Sequence, residues 1–198
     1  SQANFNSTDG KKWVFYCFRL DQKVWEDNIS SITKNLPFEL RDYQLEGIHF
    51  LMDNKHSVLA DEMGLGKTVQ AITAIKSIFE KSGTFRCLIV VPNSLLFNWI
   101  SEFKVWFKET SPTVLVGNKK NRYVQLDMDA GIILATYEQI RIAIEENPNL
   151  RKFDLVVLDE AQRLKNKSSK TYLMFQLLKK DKTWLLTGTP RENNLQDI

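Results

Sequence analysis

Four residues in two short stretches have the types and spacing to do chemistry together. In "LADEMGLGKTVQAI" (Leu59–Ile72), Lys67 and Thr68 follow Gly64 and Gly66. In "FDLVVLDEAQ" (Phe153–Gln162), Asp159 and Glu160 stand side by side. The first stretch suits phosphate. Glycines let a backbone approach phosphate oxygens with its N–H groups turned inward, and a helix N-terminus adds partial positive charge. A lysine at this place reaches the β- and γ-phosphates, and the following hydroxyl can hold Mg²⁺. Met63, Gly64, Leu65 and Gly66, with Lys67, Thr68 and Val69, form the expected nucleotide cradle. The acidic pair supplies the other half of a hydrolytic site. Asp159 can hold Mg²⁺ directly or through water, and Glu160 can orient and deprotonate the water that attacks a γ-phosphate. Each stretch has a plain alternative: a glycine turn that happens to precede a lysine, and an acidic pair that caps the next helix. Together they are more economically read as one magnesium-bound triphosphate site. The general pattern G-x-x-x-x-G-K-[ST] wants glycine at position 61, where this chain has Asp61, so that match is partial.

Such a site needs both stretches at one end of a sheet. From about residue 57 the chain alternates apolar runs with helical patterns. The runs are "SVLA" (57–60), "CLIVV" (87–91), "TVLV" (113–116), "GIILAT" (131–136), "LVVLD" (155–159) and "TWLLT" (183–187). They are continuous rather than alternating, as in strands buried on both faces. Ile72, Ile75 and Phe79 recur at helical spacing after the glycine loop. Leu95, Leu96, Trp99, Ile100, Phe103, Trp106 and Phe107 make a broad stripe after Pro92, which assigns Trp99 to the core. This alternation predicts an α/β fold with a mainly parallel sheet and helices on both faces. In such sheets ligands collect beyond the carboxyl ends of the strands. Residues 1–36 read as an N-terminal extension, with "WVFYCFRL" (13–20) as one strand and "DNISSITKNL" (27–36) as a short helix or loop; residues 37–198 read as the main domain.

With these motifs in hand, the span from Phe38 to Ile198 resembles the first RecA-like lobe, a P-loop NTPase fold, of a superfamily-two helicase of the Swi/Snf-like DNA translocase kind. Six segments stand in the family's order: "LRDYQLEGIHFL", "ADEMGLGKT", "VVPNSLLFNWISEF", "ATYEQI", "LDEAQRLKN" and "LLTGTPRENNL". The resemblance implies ATP and Mg²⁺ as ligands, with Gln44 reading the adenine edge. It implies contacts to the backbone of duplex DNA by Asn93, Ser94, Asn98 and Thr136, and coupling of hydrolysis to movement by Gln162, Thr187, Gly188 and Thr189. It also implies a partner lobe that completes the motor and carries arginine fingers, which are worth ~10³–10⁵ in rate. That lobe is not in these 198 residues, so the lobe by itself is expected to bind nucleotide weakly and to be nearly inactive. Departures from the family pattern are Asp42 for Pro, Phe50 for Trp, Gln162 for the common His, and Arg191-Glu192 for the usual Ile-Gln. Asp42 and Phe50 stand at positions that do not carry the chemistry, while Gln162 and Arg191-Glu192 touch the coupling between lobes and leave the ATP site intact. The Gln162 form favours a microbial cytoplasmic protein, with a nucleus expected if the source is eukaryotic. Amides and Lys67 supply the loop's positive field, so Asp61 and Glu62 are expected to turn away from the phosphates.

Bulk properties agree with an ordinary globular domain. Apolar residues make up 43% and charged residues 26% of the chain, and no apolar run reaches the ~18–20 residues that span a bilayer. A net charge of +3 is too weak to argue for nucleic acid unaided, and the basic runs at 119–122, 163–170 and 179–182 read as solvated faces. Cys17 and Cys87 sit in apolar runs and read as buried thiols; His49 and His56 are isolated, with no zinc spacing. An RNA helicase or restriction-type translocase of the same superfamily would share the loop and acidic box. A non-hydrolysing interaction module would be marked by loss of Lys67, Asp159 or Glu160, and all three are present.

Overall fold

A computed structural model describes residues 2–6, 12–16, 32, 33, 35–62, 64–164, 166 and 168–188. Among the described residues there is one sheet of eight strands. β1 (Gln2–Asn6) and β2 (Lys12–Tyr16) are followed by α1 (Asp42–Asp53), β3 (His56–Leu59) and α2 (Lys67–Lys81). β4 (Arg86–Val91) leads through a 3₁₀ turn at Asn93–Leu95 into α3 (Leu96–Trp106). Then come β5 (Thr113–Val114), α4 (Lys119–Leu126), β6 (Gly131–Thr136) and α5 (Tyr137–Glu146). β7 (Phe153–Leu158), a 3₁₀ turn at Ala161–Leu164, α6 (Lys170–Leu177) and β8 (Lys180–Leu186) complete the order.

The strands lie in the order β1-β2-β3-β8-β7-β4-β6-β5. Every pairing from β2 to β5 is parallel, and only β1 runs antiparallel to its neighbour. The expected α/β architecture is therefore present: the central strands are Val-, Ile- and Leu-rich and buried on both faces. Alternate residues feed two cores. Val58, Val90, Ala135, Val156 and Leu185 pack against Ile140 and Ile144 of α5 and Phe175 of α6. Leu59, Ile89, Val157, Trp184 and Leu186 pack against α1, α2 and α3 through Ile48, Ile72, Ile75, Trp99 and Phe103. Cys87 is one of these buried residues, and burial pushes its thiol well above the ordinary range.

Several boundaries differ from the pattern reading. The run at 113–116 is a strand only over Thr113–Val114, because the Val116 N–H turns to the Gln125 side chain instead of the sheet. β7 and β8 start earlier than the apolar runs, at Phe153 and Lys180, since register with a neighbouring strand carries polar residues into the ladder. The N-terminal run is a strand over Lys12–Tyr16 that extends the main sheet beside β3; Cys17 to Leu20 lie outside the described residues. In the segment 27–36, Ile32 is buried in the core that α1, α2 and α3 share.

All the parallel strands end at one edge. β3 and β7 both flank β8, with Leu59 opposite Leu186 and Leu158 opposite Leu185. The Thr187 N–H then bonds to the Leu59 carbonyl at 3.1 Å and the Asp159 N–H to the Val90 carbonyl at 2.9 Å. The phosphate loop and the acidic box thus leave the sheet at the same edge, one strand apart.

Candidate functional site: two loops and a groove at the strand ends

The loop between β3 and α2 is shaped by its glycines. Gly64 (φ +87°) and Gly66 (φ +76°) are both left-handed, and Gly66 is the residue on which α2 begins. A side chain at Gly66 would also collide with Gln44, whose Nε2 would lie 2.6 Å from the added carbon. Gln44 is therefore packed against the loop, with its Oε1 accepting the Arg41 N–H at 3.0 Å. The Lys67 ammonium donates to the carbonyls of Asp61 (2.8 Å) and Glu62 (3.0 Å). Thr68 and Val69 continue the first turn of α2. Met63 lies outside the described residues.

The two acids meet Lys67 through their carbonyls, not their carboxylates. Asp61 is buried and its Oδ2 accepts the Gln70 Nε2–H at 3.0 Å, while Glu62 is exposed. The same Gln70 amide donates to the Leu65 carbonyl at 3.3 Å, so one side chain holds both ends of the loop. Burial raises the Asp61 carboxyl above its usual range, against the Gln70 hydrogen bond and the charge of Lys67, which lower it.

Room for Gln70 comes from Gly47 on α1. A methyl group there would lie 1.8 Å from Gln70 Oε1. Gly47→Ala should therefore push the amide off Asp61 and Leu65. A buried partner left unsatisfied costs about 1–3 kcal/mol, which for a chain of this size lowers Tm by ~2–4 °C per kcal/mol. Glycine-to-alanine within a helix ordinarily stabilises by roughly 0.5–1 kcal/mol, so the sign is diagnostic. A thermal melt of G47A at or above the parent would contradict this account.

The second loop starts at Asp159, just past β7. Asp159 is buried, and each of its carboxylate oxygens accepts one hydrogen bond. Its Oδ2 accepts the Trp99 indole N–H at 2.8 Å and its Oδ1 the Glu160 N–H at 2.9 Å. Its carbonyl accepts the Tyr137 hydroxyl at 2.6 Å. Glu160 is held in the left-handed region at φ +52°, a strained place for a residue with a side chain. Gln162 Nε2 donates to the Glu160 carboxylate, and Gln162 Oε1 accepts the Thr187 hydroxyl at 3.0 Å. The acidic box is thereby tied to the end of β8. Gly188 follows Thr187 at that edge; Thr189, Arg191 and Glu192 lie outside the described residues.

The two loops share an electrostatic field. Burial lowers the Lys67 ammonium below its ordinary range, opposed by the negative charges of Asp61, Asp159 and Glu160. Burial also raises the Asp159 carboxyl, opposed by the Trp99 and Glu160 N–H groups; the Glu160 charge adds to the rise and Lys67 counters it. The Thr68 hydroxyl and the Asp159 carboxylate are hard oxygen donors from the two loops. That set fits Mg²⁺, which is commonly held by one or two carboxylates together with substrate phosphates.

An open groove of about 840 Å³ lies at the same edge, over the ends of β4, β6 and β7. Asn93 and Ser94 line it from the 3₁₀ turn after β4, and Thr136 from the start of α5. Thr136 Oγ1 accepts the Gln139 N–H at 3.2 Å, so its hydroxyl also caps α5. Asn98 is exposed on α3 and is not among the groove residues. Pattern reading missed Arg141, Arg163 and Lys170, three cations that line the groove. Arg163 also lies over the Tyr137 ring at 5.7 Å. Arg163 and Lys170 belong to a basic run read as a solvated face; its position directly after the acidic box was the available signal.

Comparison with known proteins identifies the family and the fold. A family profile described as "SNF2-related domain" matches residues 43–198. Chromodomain-helicase-DNA-binding protein 6 of Homo sapiens is 35% identical over 182 residues, covering 81% of this chain and 7% of its own length. The ISWI chromatin-remodeling complex ATPase ISW2 of Saccharomyces cerevisiae is 36% identical over 174 residues, covering 81% of this chain and 15% of its own length. Among solved structures, the Sulfolobus solfataricus SWI2/SNF2 ATPase core in complex with dsDNA superposes with a TM-score of 0.72 at 30% identity, covering 83% of this chain and 35% of that one. The chain thus spans a small part of the relatives it matches.

Proposed function

Because this chain belongs to the SNF2-related domain family, we propose that it is the ATP-binding lobe of a motor that hydrolyses ATP to move along duplex DNA. The observation that carries this reading is the shared edge. The phosphate loop, the acidic box and a cation-lined groove all leave one parallel sheet at the ends of β3, β7, β4 and β6. The archaeal relative, solved with duplex DNA, supports the substrate. The yeast relative is named a chromatin-remodelling ATPase, which favours DNA in chromatin, and so a nucleus, over the microbial cytoplasm suggested by Gln162.

In this reading the triphosphate lies across Gly64–Thr68 with the adenine toward Gln44. Lys67 exchanges its two carbonyl partners for β- and γ-phosphate oxygens, which as charged acceptors bind it more strongly. Thr68 and Asp159 would hold Mg²⁺, which when bound neutralises charge on the β- and γ-phosphates. Glu160 takes a proton from water as the water oxygen bonds to the γ-phosphorus. The bond from that phosphorus to the bridging oxygen breaks, and ADP leaves with the electron pair. The links from Glu160 to Gln162 to Thr187 carry the state of the base to the end of β8, from which Thr187 and Gly188 would couple hydrolysis to a second lobe of the same protein. Asn93, Ser94 and Thr136, with Arg141, Arg163 and Lys170, would hold DNA phosphates. Contacts of this kind position nucleic acid without reading its sequence.

The test is ATP hydrolysis by the complete protein with duplex DNA, single-stranded DNA or RNA added. Duplex DNA should stimulate most. Replacing Arg163 and Lys170 together should weaken duplex binding and flatten its dependence on log salt by about two units, near 0.9 per lost phosphate contact. Equal or greater stimulation by RNA would point to an RNA helicase and end the duplex-DNA reading.

A further inference from the structure

Trp99 is assigned to the core by its place on an apolar stripe, and it is fully buried there, its ring centre 6.4 Å from that of Phe103. Apolar packing accounts for the ring but not for the indole N–H. A buried donor needs an acceptor, and this one meets a carboxylate, Oδ2 of Asp159, at 2.8 Å across 60 residues of sequence. The contrast is Trp184, equally buried in the same core, whose Nε1 has no hydrogen-bond partner among the described residues. The Trp99 donor, by contrast, has its acceptor in the acidic box.

Its consequence for Asp159 is directional. One oxygen is held by Trp99 and the other by the Glu160 N–H. The two donors restrain rotation of the carboxylate and leave each oxygen with a lone pair for a further partner. Tyr137 secures the same residue from behind, its hydroxyl on the Asp159 carbonyl at 2.6 Å. Both holders are rigidly based: Trp99 on α3 and Tyr137 at the first position of α5.

We propose that Trp99 and Tyr137 are positioning residues of the nucleotide site, which hold Asp159 at the angle from which it takes magnesium. This inference rests on the reading of Asp159 as a magnesium ligand. Partners one step removed from a metal typically change its affinity by about 10–100-fold when removed.

The test is calorimetric titration of ADP into the complete protein, with and without magnesium. Asp159→Asn gives the reference and should erase the gain in ADP affinity that magnesium confers. Trp99→Phe keeps an aromatic ring and removes the N–H. It should reduce that gain about tenfold and leave magnesium-free affinity unchanged. In the Asp159→Asn background it should add nothing, since the two act through one carboxylate. Tyr137→Phe, which deletes one hydroxyl, should reduce the gain in the same direction and stands in if Trp99→Phe fails to fold. If Asp159→Asn erases the gain but the Trp99 and Tyr137 variants keep it, both are core residues only and the proposal is overturned. If Asp159→Asn itself keeps the gain, the magnesium reading fails, and the proposal fails with it.

Discussion

Lys67→Ala will remove nucleotide binding to the limit of detection and lower any DNA-stimulated hydrolysis by at least about 10²–10³-fold, the loss that follows removal of one preorganised charge-stabilising donor. The structure makes the effect larger than the loss of a phosphate contact alone. Lys67 is the cation whose charge is felt by Asp61, Asp159 and Glu160. Without it, an incoming triphosphate meets the acidic pair Asp159 and Glu160 with only backbone amides and bound metal to oppose them. A hydrogen bond to a charged group is by itself worth about 1.5–3 kcal/mol. Titration calorimetry with ATP and ADP, beside a thermal melt to show that the fold persists, measures the loss. Nucleotide affinity within a few-fold of the parent would mean that the carbonyls of Asp61 and Glu62 are the real partners of Lys67 and that the loop does not hold phosphate.

Glu160→Gln will separate hydrolysis from binding. Loss of a positioned general base costs about 10²–10⁴-fold in rate, whereas Asp159, Thr68 and Lys67 remain to hold nucleotide. The substitution keeps the shape at a residue already in left-handed backbone (φ +52°). The stretch at Asp159 is unaffected, because the Glu160 N–H that bonds Oδ1 belongs to the main chain. Single-turnover hydrolysis of the complete protein with duplex DNA should therefore fall by at least two orders of magnitude while ADP affinity changes little. Equal losses in both would make Glu160 a binding residue. An unchanged rate would place the base elsewhere.

How much of this was legible depends on whether the information is local. The central strands were, because a continuous run such as "CLIVV" can be satisfied only by apolar neighbours on both faces. Gly64 and Gly66 were as well, since a loop that turns its N–H groups inward needs left-handed backbone. Helix α4 was hidden: its stretch "KKNRYVQL" buries only Leu126, so it carries no apolar stripe, and its start is set by the Asn118 side chain on the Asn121 N–H. The run at 113–116 was legible as a strand, but its early end after Val114 was not, because a side chain eleven residues further on, Gln125, takes the Val116 N–H.

From the sequence alone it was determined that the chain is an α/β domain with a phosphate loop, an acidic pair and the residue types for magnesium-dependent hydrolysis, since strand periodicity, glycine conformation and carboxylate chemistry are properties of neighbours along the chain. The tertiary structure alone decided which groups face each other. It set Asp61 on Gln70 with Gly47 making room, Trp99 on Asp159, Gln162 between Glu160 and Thr187, and β2 beside β3. Each of these joins residues from different elements. The direction of an N–H or a carboxylate at such a meeting depends on strand order and helix placement, which no local pattern encodes.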